Sequence, residues 1–382
     1  MIVPIAFVAV ASGCSDATQN SRLLWSDSNA TASATFQSHV DKVLVSDGKV
    51  YLAYTYPRDA QGFSNKVVTI DLVSGASSIA TRDETSNSGC LVEMMGSVLH
   101  IYEDYIKKEL HITWLGSETS YLIPAFQTAG KITCLARNES DVYVGNSYGQ
   151  VSSLNFSPDG VPEVKLVRED FVLTPPEFGQ YPHLAWRAGE LHVFNNTIDT
   201  GWYYLDFIQS ICAEGGCTEF KRLFPRDVVL ANSWVGDVYV YVYVYVDEDG
   251  AIFVYFSENS YHFDSVELYK NPEANTGYVG VYRNEEWTKF RVGERVLSGK
   301  FVERDGGLTL ISMTQNGEVT SHLVKADGLS EKGRQYINIV CAYALDAVFE
   351  GIDLVLAVTD RGEGCITEDN SGEAQIWLVK GL

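Results

Sequence analysis

Between Val235 and Glu258 the chain reads VGDVYVYVYVYVDEDGAIFVYFSE. Val238, Val240, Val242, Val244 and Val246 alternate with Tyr239, Tyr241, Tyr243 and Tyr245. Alternation with period 2, in residues that favour extended backbone, predicts a β-strand. A second β-rich run follows the turn Asp247-Glu248-Asp249-Gly250, so the stretch predicts an antiparallel hairpin. Neither face of the first run is charged, whereas a strand with one wet face alternates apolar with polar residues. The hairpin is therefore expected to be covered on both sides, as part of a sheet packed between two others.

Weaker copies of this pattern run the length of the chain. Ser46-Asp47-Gly48-Lys49 precedes VYLAYTY, Gly96-Ser97 precedes VLHIY, Glu139-Ser140-Asp141 precedes VYVG, and Gly189-Glu190 precedes LHVF. After Asp249-Gly250 with AIFVYF come Gly306-Gly307 with LTLISM and Glu350-Gly351 with IDLVLAV. These seven units recur at intervals of roughly 44 to 61 residues, which is the spacing of β-propeller blades. Within the first unit four strands are predicted, over His39–Ser46, Lys49–Tyr56, Lys66–Val73 and Ala76–Arg82. The second unit is read as Cys90–Met95, Val98–Glu103, Glu109–Leu115 and Ser120–Ala125. No long window shows helical periodicity with caps.

The last unit offers three strands, Ile337–Leu345, Ile352–Thr359 and Ala374–Val379, while Ser21–Ser26 near the start has no sheet of its own. That N-terminal strand is expected to complete the last blade, closing the ring and removing exposed sheet edges. The fold class read from the pattern is all-β: a seven-bladed propeller of four-stranded antiparallel blades, one domain over residues 21–382. A tandem of β-sandwiches, which also uses short strands, is the competing architecture.

Composition agrees with a folded β protein. Of 382 residues 46% are hydrophobic and 20% charged, enough for a sizeable core, and Tyr (22) and Gly (32) suit strands and turns. A formal net charge of −22 repels phosphate backbones and anionic membrane surfaces, so no nucleic-acid partner is expected.

The first residues contain an apolar run from Ile2 to Val10, too short to span a bilayer and matching a signal-peptide core. Ala11-Ser12-Gly13-Cys14 follows, and small residues directly before a cysteine resemble the lipobox of bacterial lipoproteins. That resemblance implies a signal peptide over residues 1–13, a lipidated Cys14, and a polar tether through residue 20. Membrane attachment is then expected only through the N-terminal lipid, in an exported outer-membrane lipoprotein at the periplasmic face or cell surface. Removing Cys14 from seven cysteines leaves six, an even set suited to an oxidising compartment. Cys212 and Cys217 enclose a turn-like loop, Cys341 and Cys365 fall within one unit, and Cys90 and Cys134 occupy similar places in adjacent units. These are the disulfide candidates, with connectivity open.

Candidate chemistry is sparse. CxxC pairs and HxH spacings are absent, so no metal site is expected. His100 and His192, on the strands after the repeated turns, are expected to pack or to hydrogen-bond between blades. Asp247-Glu248-Asp249-Gly250 resembles a fragment of a calcium loop, but apolar residues follow it; a solvated hairpin turn is expected, and no cofactor. The longest departure from the repeat, Ser257 to Trp287, carries Tyr261, His262, Phe263, Tyr269, Tyr278 and Tyr282. Aromatics on long connections mark this stretch as the candidate binding loop.

In general pattern the repeats resemble sialidase-type propellers and the PQQ-like repeats of outer-membrane assembly lipoproteins. Val68-Thr69-Ile70-Asp71-Leu72-Val73-Ser74-Gly75 is similar to the strand-Asp-x-x-x-Gly turn of the latter. The Trp that follows in that family, and the Ser-x-Asp-x-Gly-x-Thr-Trp box of sialidases, are absent, so the resemblance implies architecture and no catalytic set. The expected function is an extracytoplasmic, lipid-anchored binding or scaffolding module that holds a protein or glycan on one rim. A sialidase-like glycoside hydrolase is the alternative, requiring a carboxylate pair and arginines brought together in space.

Overall fold

The computed structural model describes residues 20–27, 39–57, 63–81, 89–104, 106–117, 119–124, 132–146, 150–168, 183–198, 205–213, 216–223, 243–259, 275–304, 307–340, 342–360 and 373–382. Strand β1 (Ser21–Ser26) comes first in the chain and belongs to the last sheet. Blade 1 is β2 (His39–Ser46), β3 (Lys49–Pro57), β4 (Phe63–Asp71) and β5 (Ser77–Thr81). Blade 2 is β6 (Gly89–Met94), β7 (Ser97–Asp104), β8 (Glu109–Trp114) and β9 (Ser120–Pro124). Blade 3 is β10 (Ile132–Ala136), β11 (Asp141–Asn146), β12 (Val151–Phe156) and β13 (Pro162–Arg168). Blade 4 is β14 (His183–Arg187), β15 (Glu190–Ile198) and β16 (Leu205–Ala213), with β17 (Gly216–Cys217) and β18 (Lys221–Arg222) sharing the outer position.

Blade 5 is β19 (Tyr243–Val246), β20 (Ile252–Asn259), β21 (Asn275–Arg283) and β22 (Glu286–Glu294). Blade 6 is β23 (Val296–Arg304), β24 (Gly307–Thr314), β25 (Glu318–Lys325) and β26 (Gly328–Tyr336). Blade 7 is β27 (Ala342–Glu350), β28 (Asp353–Asp360), β29 (Glu373–Val379) and, as its outer strand, β1. Its first strand starts five residues later than the sequence pattern suggests, because Ile337 and Ile339 pack as a connection against the blade 6–7 core. Among the described residues there is no helix.

Every sheet is an antiparallel meander, and the first strands of successive blades neighbour one another in turn until β27 meets β2. The seven first strands therefore surround a central channel. The first-to-second-strand turns gather on one rim. The second-to-third-strand turns and the blade-to-blade connections gather on the other. The repeated turn of the sequence forms the first rim; in blade 2 it is Met95-Gly96, whose φ values of 50° and 68° give the two-residue turn that matches strand twist.

The core is divided among the blade junctions. Seven apolar clusters occur, and each lies between two neighbouring blades. The alternation in blade 5 shows why. Val244, Val246, Val254 and Phe256 pack toward Phe194 and Leu223 of blade 4, while Tyr245, Phe253 and Tyr255 pack toward Val296 and Leu310 of blade 6. Both faces of the sheet are covered, as its uncharged alternation requires. Residues of the Val/Tyr run before Tyr243 lie outside those described.

Ring closure is built at the termini. β1 pairs with β29 from Ser21↔Val379 to Ser26↔Gln375. Asp27, just beyond it, accepts a 2.6 Å hydrogen bond from the Tyr54 hydroxyl and pairs with Lys66 at 3.5 Å, both on blade 1. On the inner strands, Asp346 of blade 7 pairs with Lys300 of blade 6 at 2.9 Å and Lys42 of blade 1 at 3.9 Å. The Val43 amide donates to the same carboxylate at 2.7 Å. Three blades are thus tied by one side chain.

Candidate functional site

Six junctions are filled mainly by apolar side chains, but the junction of blades 1 and 2 is thin. Its buried apolar cluster is Ala53, Val67, Leu91 and Val98. Toward the rim of second-to-third-strand turns, polar and aromatic groups take over. The register explains which ones. Residues i and i+2 share a strand face, and directly paired residues share it too. Tyr102 pairs with His111 and Asp104 with Glu109, so His100, Tyr102, Asp104, Glu109 and His111 occupy one face of the β7–β8 hairpin. The opposite face, with Leu99, Ile101, Leu110 and Ile112, packs toward blade 3.

His100, fully buried, meets Asn65 Oδ1 of blade 1 at 2.7 Å through Nε2, and Asn65 Nδ2 donates to Thr55 Oγ1 at 3.1 Å. This is the blade-to-blade hydrogen bond expected of that histidine. Gly89 leaves the space for it: a Cβ there would sit 2.5 Å from Asn65 Oδ1 and 2.7 Å from His100 Nε2. Tyr102 lies between two imidazoles, stacked on His100 at 4.8 Å and on His111 at 4.9 Å. At the rim end, Asp104 Oδ1 accepts the Ile106 and Lys107 amides at 3.0 Å each. Glu109 Oε2 lies 3.7 Å from His111 Nε2. Among the described residues, Asp104, Glu109 and His111 are the one group of three with the donor set of a metal ligand cluster. The missed signal was the Glu-x-His spacing on a strand; its third member is visible only once the hairpin register is known.

His192 of blade 4 has its Nδ1 2.8 Å from Gln209 Nε2 within its own sheet, and burial lowers its pKa. In the inner strand of the same blade, burial and the Lys300 charge pull His183 down to about 3, so its imidazole is neutral. Three arginines serve as joints on the opposite rim. Arg187 covers the Tyr245 ring at 5.1 Å and reaches Glu303 at 2.7 Å, Arg137 covers Trp186 at 4.2 Å, and Arg304 covers Phe349 at 4.5 Å.

The residues singled out from sequence fall as follows. Cys90 and Cys134 form a disulfide between the inner strands of blades 2 and 3, and Cys212 and Cys217 form one across β16 and β17. Cys14, Cys341 and Cys365 lie outside the described residues, as do Tyr261, His262, Phe263 and Tyr269. Tyr278 and Tyr282 are on strand β21 rather than on a connection. Tyr278 stacks on Phe256 at 5.8 Å, and Tyr282 packs in the blade 4–5 core beside Trp287. Asp247–Gly250 is a hairpin turn in which Asp247 Oδ1 accepts the Ala251 amide at 2.7 Å. Asp71 takes the Ser74 amide at 2.7 Å and the Val73 amide at 3.1 Å, which lower its pKa and stabilise the turn noted in the sequence.

No protein-family model and no curated protein matches the sequence. Solved structures match the fold. The polysaccharide lyase Uly1 aligns with a TM-score of 0.55 at 10% identity, over 90% of each chain. A chain of the mitotic checkpoint complex aligns at 0.52 with 11% identity, over 100% of this chain and 97% of that one. Virginiamycin B lyase from Staphylococcus aureus, in a catalytically inactive form with quinupristin, aligns at 0.51 with 13% identity, over 90% and 95%. At these identities the likeness is one of fold.

Proposed function

We propose that the chain is an extracytoplasmic, lipid-anchored propeller that binds a protein or glycan partner on the rim of its second-to-third-strand turns and leaves that partner chemically unchanged. The observation that carries the reading is burial. Two of the described groups suited to acid–base work, His100 at 0% and Tyr102 at 3% exposure, are locked between blades, out of reach of a substrate. They hold a rigid platform instead. The same fold serves both kinds of role among similar structures, an assembly component in the mitotic checkpoint complex and lyases in Uly1 and virginiamycin B lyase.

A sialidase-like hydrolase has less support. Arg137, Arg187 and Arg304 are spread over three blade junctions on the opposite rim, and Arg168 is buried against Ser210 and Phe220. Two disulfides support an oxidising compartment. Among the described residues no helix is long and apolar enough to cross a membrane. An N-terminal lipid is the attachment that Cys14 would supply.

Two exposed apolar residues make the binding rim testable. Ile106 is 64% and Val340 56% exposed on it, while Val73 and Ile352 stand on the opposite rim at 96% and 76%. Ile106→Arg with Val340→Arg is expected to abolish retention on a panel of immobilised surface glycans and envelope proteins. Val73→Arg with Ile352→Arg is expected to leave it intact. The reverse pattern would refute the rim assignment. Fatty-acid labelling that persists in Cys14→Ser would refute the anchor.

A further inference from the structure

We propose that Asp104, Glu109 and His111 form a binding site for one divalent transition-metal ion of the Zn²⁺ type, at the rim end of blade 2. This goes beyond partner binding and stands whether or not the rim holds a glycan or protein. The three ligand atoms lie within 4.8 Å of one another. Zinc bonds carboxylate oxygen and imidazole nitrogen at about 2.0–2.2 Å, so a tetrahedral site places ligand atoms about 3.4 Å apart. His111 Nε2 and Glu109 Oε2, at 3.7 Å, are already close to that. Glu109, whose side chain is the most exposed of the three at 23%, has the most freedom to adjust.

The other two ligands are held in place. Asp104, only 4% exposed in its side chain, has Oδ1 engaged by two amides, which leaves Oδ2 to face a cation. The His111 ring is held flat by Tyr102, which stacks in turn on the His100 ring bound to Asn65. Such outer support orients a metal ligand. A cation already pairs with this carboxylate: Lys107 Nζ lies 3.3 Å from Asp104 Oδ2. Its side chain is 59% exposed, so the ammonium can swing into water when a dication binds three ligands directly.

Facing carboxylates on paired strands repel, and a cation at this place relieves that. The imidazole decides the class. Calcium and magnesium take oxygen ligands, whereas a mixed set of two carboxylates and one imidazole suits zinc and its neighbours.

The test is a calorimetric titration of the chelator-stripped full chain with zinc chloride, with thermal melting alongside. Wild type is expected to bind one ion and to melt higher with it. Glu109→Gln and His111→Gln should each weaken binding by at least about tenfold, while Lys107→Met should bind as tightly or more tightly. If His111→Gln fails to fold by circular dichroism, Glu109→Gln, at the exposed ligand, carries the test. Absence of binding in wild type, binding undiminished in the folded ligand variants, or loss of binding in Lys107→Met would each overturn the site.

Discussion

At the seam where blades 6, 7 and 1 meet, Asp346 is nearly inaccessible, 3% exposed in its side chain, and its two lysine partners reach part-way to water. Burial alone would raise its pKa. The Lys300 and Lys42 charges and the Val43 amide outweigh that and hold the carboxyl below the ordinary value. A carboxyl depressed on folding contributes stability above its unfolded pKa and loses it as pH falls through the folded one. Asp346→Asn is expected to cost about 3 kcal/mol near neutral pH, since it leaves two lysines facing each other. The gap in urea midpoint between wild type and variant should narrow below about pH 4. Gly89→Ala makes a second test at this scale. The added methyl overlaps Asn65 and His100, and the expected loss is about 1–3 kcal/mol in denaturant unfolding. His100 was readable as a packing histidine because it alternates with aliphatics. Asp346 was not, because its Val43 partner is 303 residues away and only ring closure brings them together.

At the scale of strands and blades, most of the architecture was legible. Period-2 alternation and turn glycines located the second strand of every first hairpin, because a blade's inner strands are covered on both faces and so cannot hide their pattern. Outer strands were harder. β13 exposes Val164 and Leu166 at 39% and 50%, so burial imposes no alternation on it. The stretch from Ser257 to Trp287 departs furthest from the repeat, and its residues Tyr261, His262, Phe263, Tyr269, Tyr278 and Tyr282 read as a loop. In fact β21 and β22 continue the blade from Asn275 to Glu294, which moves Tyr278 and Tyr282 into regular strand. The disulfides separate two kinds of constraint. Cys90–Cys134 closes a span of 44 residues between blades, and Cys212–Cys217 one of 5 within a hairpin. In the chain-entropy account the first is worth about 2 kcal/mol more than the second. Double Ser variants of each pair, compared by chemical unfolding, should show that order.

At the scale of the whole molecule, the ring depends on a strand borrowed from the other end of the chain. Deleting residues through Asp27 removes β1, exposes the edge of β29, and takes away the partner of Tyr54 and Lys66. An open edge is a template for other chains. The truncated protein is expected to elute as aggregates on gel filtration and to lose its single cooperative melt; a monomeric, cooperatively melting product would show that the ring does not need its closing strand.

The proposal that the closed ring offers a rim to a partner without acting on it is tested most directly by a mass balance. Glycans and proteins retained by the folded chain are eluted and weighed by mass spectrometry. Every retained ligand is expected to return with its mass unchanged, after incubation of any length. Products shortened by hydrolysis, or carrying the new double bond of an elimination, accumulating with time and protein concentration, would contradict it.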